Sequence, residues 1–196
     1  FLWQMHEVLA YIKGKLTPQE FEWVTGVQPF NEPIYGYGHK NRADEFDNQK
    51  LWPFYQRTRA VLNDTGWTDK WVFAEPMVFW DTNAGFYAPP TGGHYLKNKP
   101  GAGFVFAPHF YDAARMGVTN LGKVYNGEYF KNIDSIRNEA RFLGIPAVLG
   151  EFGMWLKDQK GGARDHARIV NGTYQALESS DIEHVEKNRR PDFYTS

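Results

Sequence analysis

Four short stretches of the chain end in groups that can move protons or hold a sugar: FNEP (30–33), FAEP (73–76), APHFYD (107–112) and LGEFG (149–153). Each closes a mostly apolar run. Glu32, Glu75, the His109/Tyr111 couple and Glu151 therefore all stand at C-terminal ends of such runs. If the runs are parallel strands, that is the edge where active sites form. Two carboxylates on one rim can share the cleavage of a glycosidic bond, one protonating the leaving oxygen and the other attacking the anomeric carbon. The retaining version of this reaction needs them roughly 5–5.5 Å apart. It also needs surroundings that keep one protonated and the other ionised. Glu32 and Glu151 are the best pair for those roles.

Other residues fall in place around that pair. His109 and Tyr111 alternate about Phe110, so a strand would put both on one face. From there they can hydrogen-bond to the carboxylates, although a core histidine beside a half-buried tyrosine is the plainer reading of the same pattern. Asn31 can bond to a substrate hydroxyl. Glu75 lacks such an Asn before it and reads as a rim residue in reach of substrate. Trp80 and Trp155 lie just beyond strand ends, where each can serve as a sugar-stacking platform or as simple hydrophobic cover.

The elements that must position these groups alternate along the chain. Residues 1–12 read as the tail of an amphipathic helix, and 21–30 as a strand entering the Asn31-Glu32-Pro33 turn. In 51–62, Leu51, Phe54, Tyr55, Thr58, Val61 and Leu62 recur at helix spacing, with Pro53 in the tolerant first turn. Residues 70–80, 103–112 and 145–153 are apolar runs of the kind buried on both faces of a parallel sheet. Between them, 127–144 and 163–180 read as helices, the first closed by Gly144. Strands alternating with helices mean a parallel sheet covered by helices. Residues 181–196 are charged and patternless, a surface segment or linker.

Composition narrows the chemistry further. The formal net charge of −1 gives no electrostatic case for nucleic acid or an anionic membrane, and no stretch reads as a transmembrane segment. With no cysteine, disulfides, thiolate metal sites and a Cys nucleophile are excluded. His6, His39, His94, His109, His166 and His184 are scattered without metal-ligand spacing. No phosphate-binding glycine loop, HExxH or Gly-x-Ser-x-Gly elbow occurs. The 17% aromatic content suits an aromatic-rich core as well as it suits sugar stacking. Asn171-Gly172-Thr173 fits an N-glycosylation sequon, a triplet common by chance.

The ordered motifs resemble glycoside hydrolase family 5, in the clan A retaining glycosidases, over roughly residues 20–178. Asn31-Glu32-Pro33 matches that family's fourth-strand acid/base motif. His109-Phe110-Tyr111 matches its sixth-strand His-x-Tyr, and Gly150-Glu151-Phe152-Gly153 its seventh-strand nucleophile motif. Within the family, LWPFYQRTRAVL, WVFAEP, FAPHFYD and GIPAVLGEFG are similar to segments of endoglycoceramidase-like members. The resemblance implies a (β/α)8 barrel, incomplete here, with residues 1–180 holding about strands four to seven. It implies a retaining hydrolase of a β-glycosidic bond, with a glycolipid as substrate, or else β-glucan or mannan, or a non-catalytic carbohydrate-binding derivative. It implies no cofactor and no metal, and a secreted or extracellular setting, with a cytoplasmic one still open. A complete barrel runs to ~250 residues. Phe1 is not an initiator Met, so the expectation is a partial chain, or one that completes its open sheet edges by self-association.

Overall fold

The computed structural model describes residues 1–36, 43–78, 80, 99–112, 129–154 and 163–179. Helix α1 (Leu2–Lys15) leads into α2 (Pro18–Trp23), strand β1 (Gly26–Val27) and α3 (Ala43–Phe46). A π-helical turn over Asp47–Leu51 runs into α4 (Trp52–Asp64). Then come β2 (Trp71–Ala74), β3 (Phe104–Phe106), β4 (His109–Tyr111), α5 (Phe130–Leu143), β5 (Glu151–Gly153) and α6 (Ala163–Glu178).

Every strand pairing among the described residues is parallel. β1 pairs with β2 and β2 with β3, while β4 pairs with β5 in the register His109↔Glu151, Phe110↔Phe152, Tyr111↔Gly153. The two small sheets are continuous in practice. An isolated bridge joins Phe106 to Ala147, and the Gly150 N–H donates to the Pro108 carbonyl at 3.0 Å. Pro108 has no N–H to give, so one long strand registers as β3 and β4. Four chain segments thus lie side by side in sequence order. Among the described residues the array is open, with β1 and β5 each paired on one side.

The helices cover this array as their apolar stripes dictate. α5 buries Phe130, Ile133, Ile136, Ala140 and Leu143, the face its spacing predicts, and ends at Gly144 with φ 71°. α4 buries Trp52, Tyr55, Thr58 and Leu62, and Pro53 sits in its first turn. Trp52 meets Phe104 at 4.9 Å between ring centroids. At the N-terminal end, the buried Trp67 indole donates to the Leu9 carbonyl at 3.1 Å and takes the Phe21 ring edge-on. α1 is thereby pinned to the loop that feeds β2. No helix among the described residues is long and apolar enough to cross a membrane.

Three expectations need correction. Residues 21–23 are helix, not strand: Thr17 and Glu20 form a reciprocal capping box with Pro18 at the start, and that local signal outweighs the β-type composition. The run over 70–80 is strand only to Ala74, because Pro76 cannot continue the ladder. The run over 145–153 is not buried on both faces: Pro146, Ala147, Val148 and Gly150 are exposed, since it is the outermost of the four segments. The sequon lies within α6 with Thr173 buried, its hydroxyl donating to the Ile169 carbonyl, unlike a surface-loop acceptor. Residues 181–196 fall outside the described residues.

Candidate active site

The four motif-bearing segments meet at one rim. Parallel pairing places His109 beside Glu151 in register, so both side chains project from the same face. From there the His109 ring reaches across to the turns that follow β1 and β2. Its Nδ1 lies 3.3 Å from Glu32 Oε1, 3.3 Å from Glu75 Oε1 and 3.5 Å from Glu151 Oε2. Three carboxylates, two from the turns after β1 and β2 and one from the start of β5, are therefore gathered around a single ring nitrogen. His109 is 2% exposed, and its Nε2 is buried with no hydrogen-bond partner. With Nε2 unpartnered, Nδ1 is the edge of the ring that faces the carboxylates and can donate to them. A Cβ built on Gly150 would lie 3.1–3.2 Å from Cδ2 and Nε2 of this ring. Glycine in LGEFG thus leaves the room the imidazole occupies.

Glu32 and Glu151 are both half-exposed at their side chains, 39% and 43%. Carboxylate oxygens of the two, with a His109 ring nitrogen, lie within 4.8 Å of one another. An oxygen-to-oxygen approach of this order is compatible with the roughly 5–5.5 Å between the carboxyl groups of a retaining pair. The Tyr111 hydroxyl donates to Glu151 Oε2 at 2.9 Å, orienting that carboxylate. Burial, and then the hydrogen bond to Glu151, push the Tyr111 phenol up to about 12, so Tyr111 remains a donor at all working pH. Glu32, His109 and Glu151 are also donor types for a divalent cation. The histidine nitrogen they would share already faces three carboxylates.

Glu32 has φ +48°, the only non-glycine residue of the described chain in the left-handed region. That conformation costs of order 1–3 kcal/mol and persists where surrounding contacts impose it. The contacts come from Glu75. Its Oε2 accepts the Glu32 backbone N–H at 2.8 Å and the Gln28 side-chain amide at 3.0 Å. The two turns are tied a second time by the Val78 N–H donating to the Pro33 carbonyl at 2.8 Å. Below them the Tyr55 hydroxyl donates to the Glu75 carbonyl at 2.7 Å, and Asp47 Oδ1 accepts the Met77 N–H.

Glu75 itself is 0% exposed, which corrects its expected place on the rim in contact with substrate. The Glu32 turn, Gln28 and His109 cover it. Burial above all, against hydrogen bonds from Glu32 and Gln28, lifts its carboxyl to about 7.

The remaining sequence-derived residues divide. Asn31 is exposed next to Glu32, free to meet a ligand at the rim. Trp80 is 2% exposed and stands edge-on to Phe106 at 5.0 Å, so it presents no open ring face here. Trp155 lies outside the described residues. Gln28, Tyr55 and Asp47 belong to the support of the site and were not legible as such. Gln28 alone carried a hint, as a polar residue in the apolar run before FNEP. No protein-family model matches the chain, and neither a curated protein nor a solved structure is significantly similar to it.

Proposed function

We propose that this chain carries the catalytic pair of a retaining glycoside hydrolase of the family 5 type, built on part of a (β/α)8 barrel and acting on a β-glycosidic bond. One observation carries the reading. Two half-exposed carboxylates, one in the turn after β1 and one at the start of β5, lie within 4.8 Å of each other around a shared histidine. The sequential side-by-side order of the parallel strands supports the barrel reading, since each strand of such a barrel pairs with the next.

In this reading Glu151 attacks the anomeric carbon as Glu32 gives its proton to the departing oxygen. The glycosidic bond breaks, and a glycosyl ester forms on Glu151. Glu32, now ionised, removes a proton from water, which attacks the same carbon and releases Glu151. Tyr111 holds the Glu151 oxygen in line through its 2.9 Å hydrogen bond. His109 keeps the two carboxylates at their spacing, and Asn31 meets the sugar 2-hydroxyl. The proposed substrate is a glycolipid, with β-glucan or mannan as alternatives. The chemistry calls on no cofactor.

The test is turnover of aryl β-glycosides and of glucosylceramide in detergent. Glu151→Gln should lower kcat by about 10³-fold or more with an unchanged melting temperature. A fluorinated glycosyl fluoride should leave a covalent sugar on Glu151, read by mass spectrometry of the digest. Full activity of Glu151→Gln sinks the assignment. Sugar binding with no hydrolysis of any aryl glycoside makes the chain a carbohydrate-binding derivative instead.

A further inference from the structure

We infer that Glu75 is a positioning residue for Glu32, holding the acid/base backbone in its left-handed conformation from beneath the rim. The inference rests on the glycosidase reading for its catalytic consequence, though not for its geometry. Glu32 N–H, at 2.8 Å from Glu75 Oε2, points inward only because φ is +48°. Without an acceptor at that place, the extended conformation is favoured for a residue with a Cβ. The side chain of Glu32 would then leave its contact with His109.

The geometry gives Glu75 three simultaneous holds. One oxygen takes the Glu32 amide and the Gln28 amide. The other lies 3.3 Å from His109 Nδ1 without a hydrogen bond, so the holds on this side chain are the Glu32 and Gln28 amides. Its own backbone carbonyl is fixed by Tyr55 from α4. The charged and titratable groups around it are Glu32, Glu151 and His109 above, with Tyr55 and Asp47 on the helical side. No substrate atom need touch Glu75, which has no exposed surface. FAEP thus repeats FNEP in sequence but serves it in space.

Two variants test this, one moving the acceptor and one keeping it. Glu75→Asp retains the charge and withdraws the oxygens by one methylene. Glu75→Gln keeps an acceptor in place and removes the charge. In isotope-labelled protein, hydrogen exchange of the Glu32 amide should be slow in the parent chain and in Glu75→Gln. In Glu75→Asp it should be at least about tenfold faster, with global stability monitored in parallel. On a methylumbelliferyl β-glycoside, Glu75→Asp should lose about 10²-fold in kcat, the scale of a 1 Å misplacement, with KM little changed. The loss should be far smaller on a dinitrophenyl glycoside, whose leaving group departs without a proton. Glu75→Gln should retain most of the kcat.

Unchanged Glu32 exchange in Glu75→Asp overturns the inference whatever the activity. Equal losses on both substrates also overturn it, because they would mark a general structural defect. If the parent chain cleaves neither substrate while exchange responds as expected, the glycosidase reading fails and the positioning role stands.

Discussion

At the scale of single residues, Glu32 and Glu151 share one histidine and nearly equal exposure, yet their neighbours differ. Glu151 receives a phenol hydroxyl at 2.9 Å, a donor that stabilises a charged carboxylate. No comparable hydroxyl reaches the Glu32 side chain among the described contacts; its anchor is its backbone, held by Glu75. This asymmetry fits a fixed nucleophile and a proton donor that must exchange with substrate and water. Glu32→Gln should therefore reduce kcat by about 10²–10⁴-fold on glycosides with poor leaving groups, the usual contribution of a general acid. On dinitrophenyl glycosides bond cleavage should stay fast and the glycosyl-enzyme should accumulate, seen as a burst of dinitrophenol before slow steady turnover. A uniform loss across leaving groups would take the acid role from Glu32. That Glu32 and Glu151 come near each other was foreshadowed in the sequence, where each closes an apolar run. The role of Glu75 was not readable. Its motif looks like that of Glu32, and only the fold decides that one turn lies under the other.

At the scale of elements, the site depends on how closely neighbouring strands can approach. Gly26 is the critical point in β1: an added Cβ would stand 2.2 Å from the Trp71 carbonyl oxygen and 2.8 Å from the Phe73 ring. Backbone cannot rotate aside as a flexible side chain does, so the β1–β2 pair would have to spread. Gly26→Ala should destabilise the fold by roughly 1–3 kcal/mol, the usual penalty for overpacking. A shifted denaturation midpoint at constant slope would show it, and an unchanged midpoint would refute the tight pairing. The same substitution should weaken the Glu32–Glu75 contact, because the turn after β1 carries one partner and the turn after β2 the other. Helices were legible here wherever an apolar stripe met a packing partner, as in α4 and α5. The strands were legible as apolar runs but not in length. Proline at 76 and 108 and the capping box at Thr17 cut them by local chemistry that the hydrophobic pattern does not register.

At the scale of the whole molecule, the buried acid beneath the rim ties folding to pH. The sequence displayed the apolar runs that end in acids, but it could not say which acid would be enclosed. Enclosure depends on turns 43 residues apart (Glu32 to Glu75) closing over one another. In the folded chain Glu75 titrates at about 7, against 4.5 for an unburied Glu. Between those values the folded state holds a proton that the unfolded state has released. Stability contributed by this group is therefore greatest below about 4.5 and falls as pH rises toward 7. Above that, the folded chain carries a charge at Glu75 close to Glu32 and Glu151, whose repulsion raises the value further than burial alone. The contribution is isolated by comparison with Glu75→Gln, which cannot ionise but keeps the side chain's shape. The melting-temperature difference between the parent and Glu75→Gln should move in favour of the variant from pH 5 to about pH 7 and level off above that. A difference independent of pH would mean that Glu75 is solvated in the native state and that the Glu32 turn does not close over it.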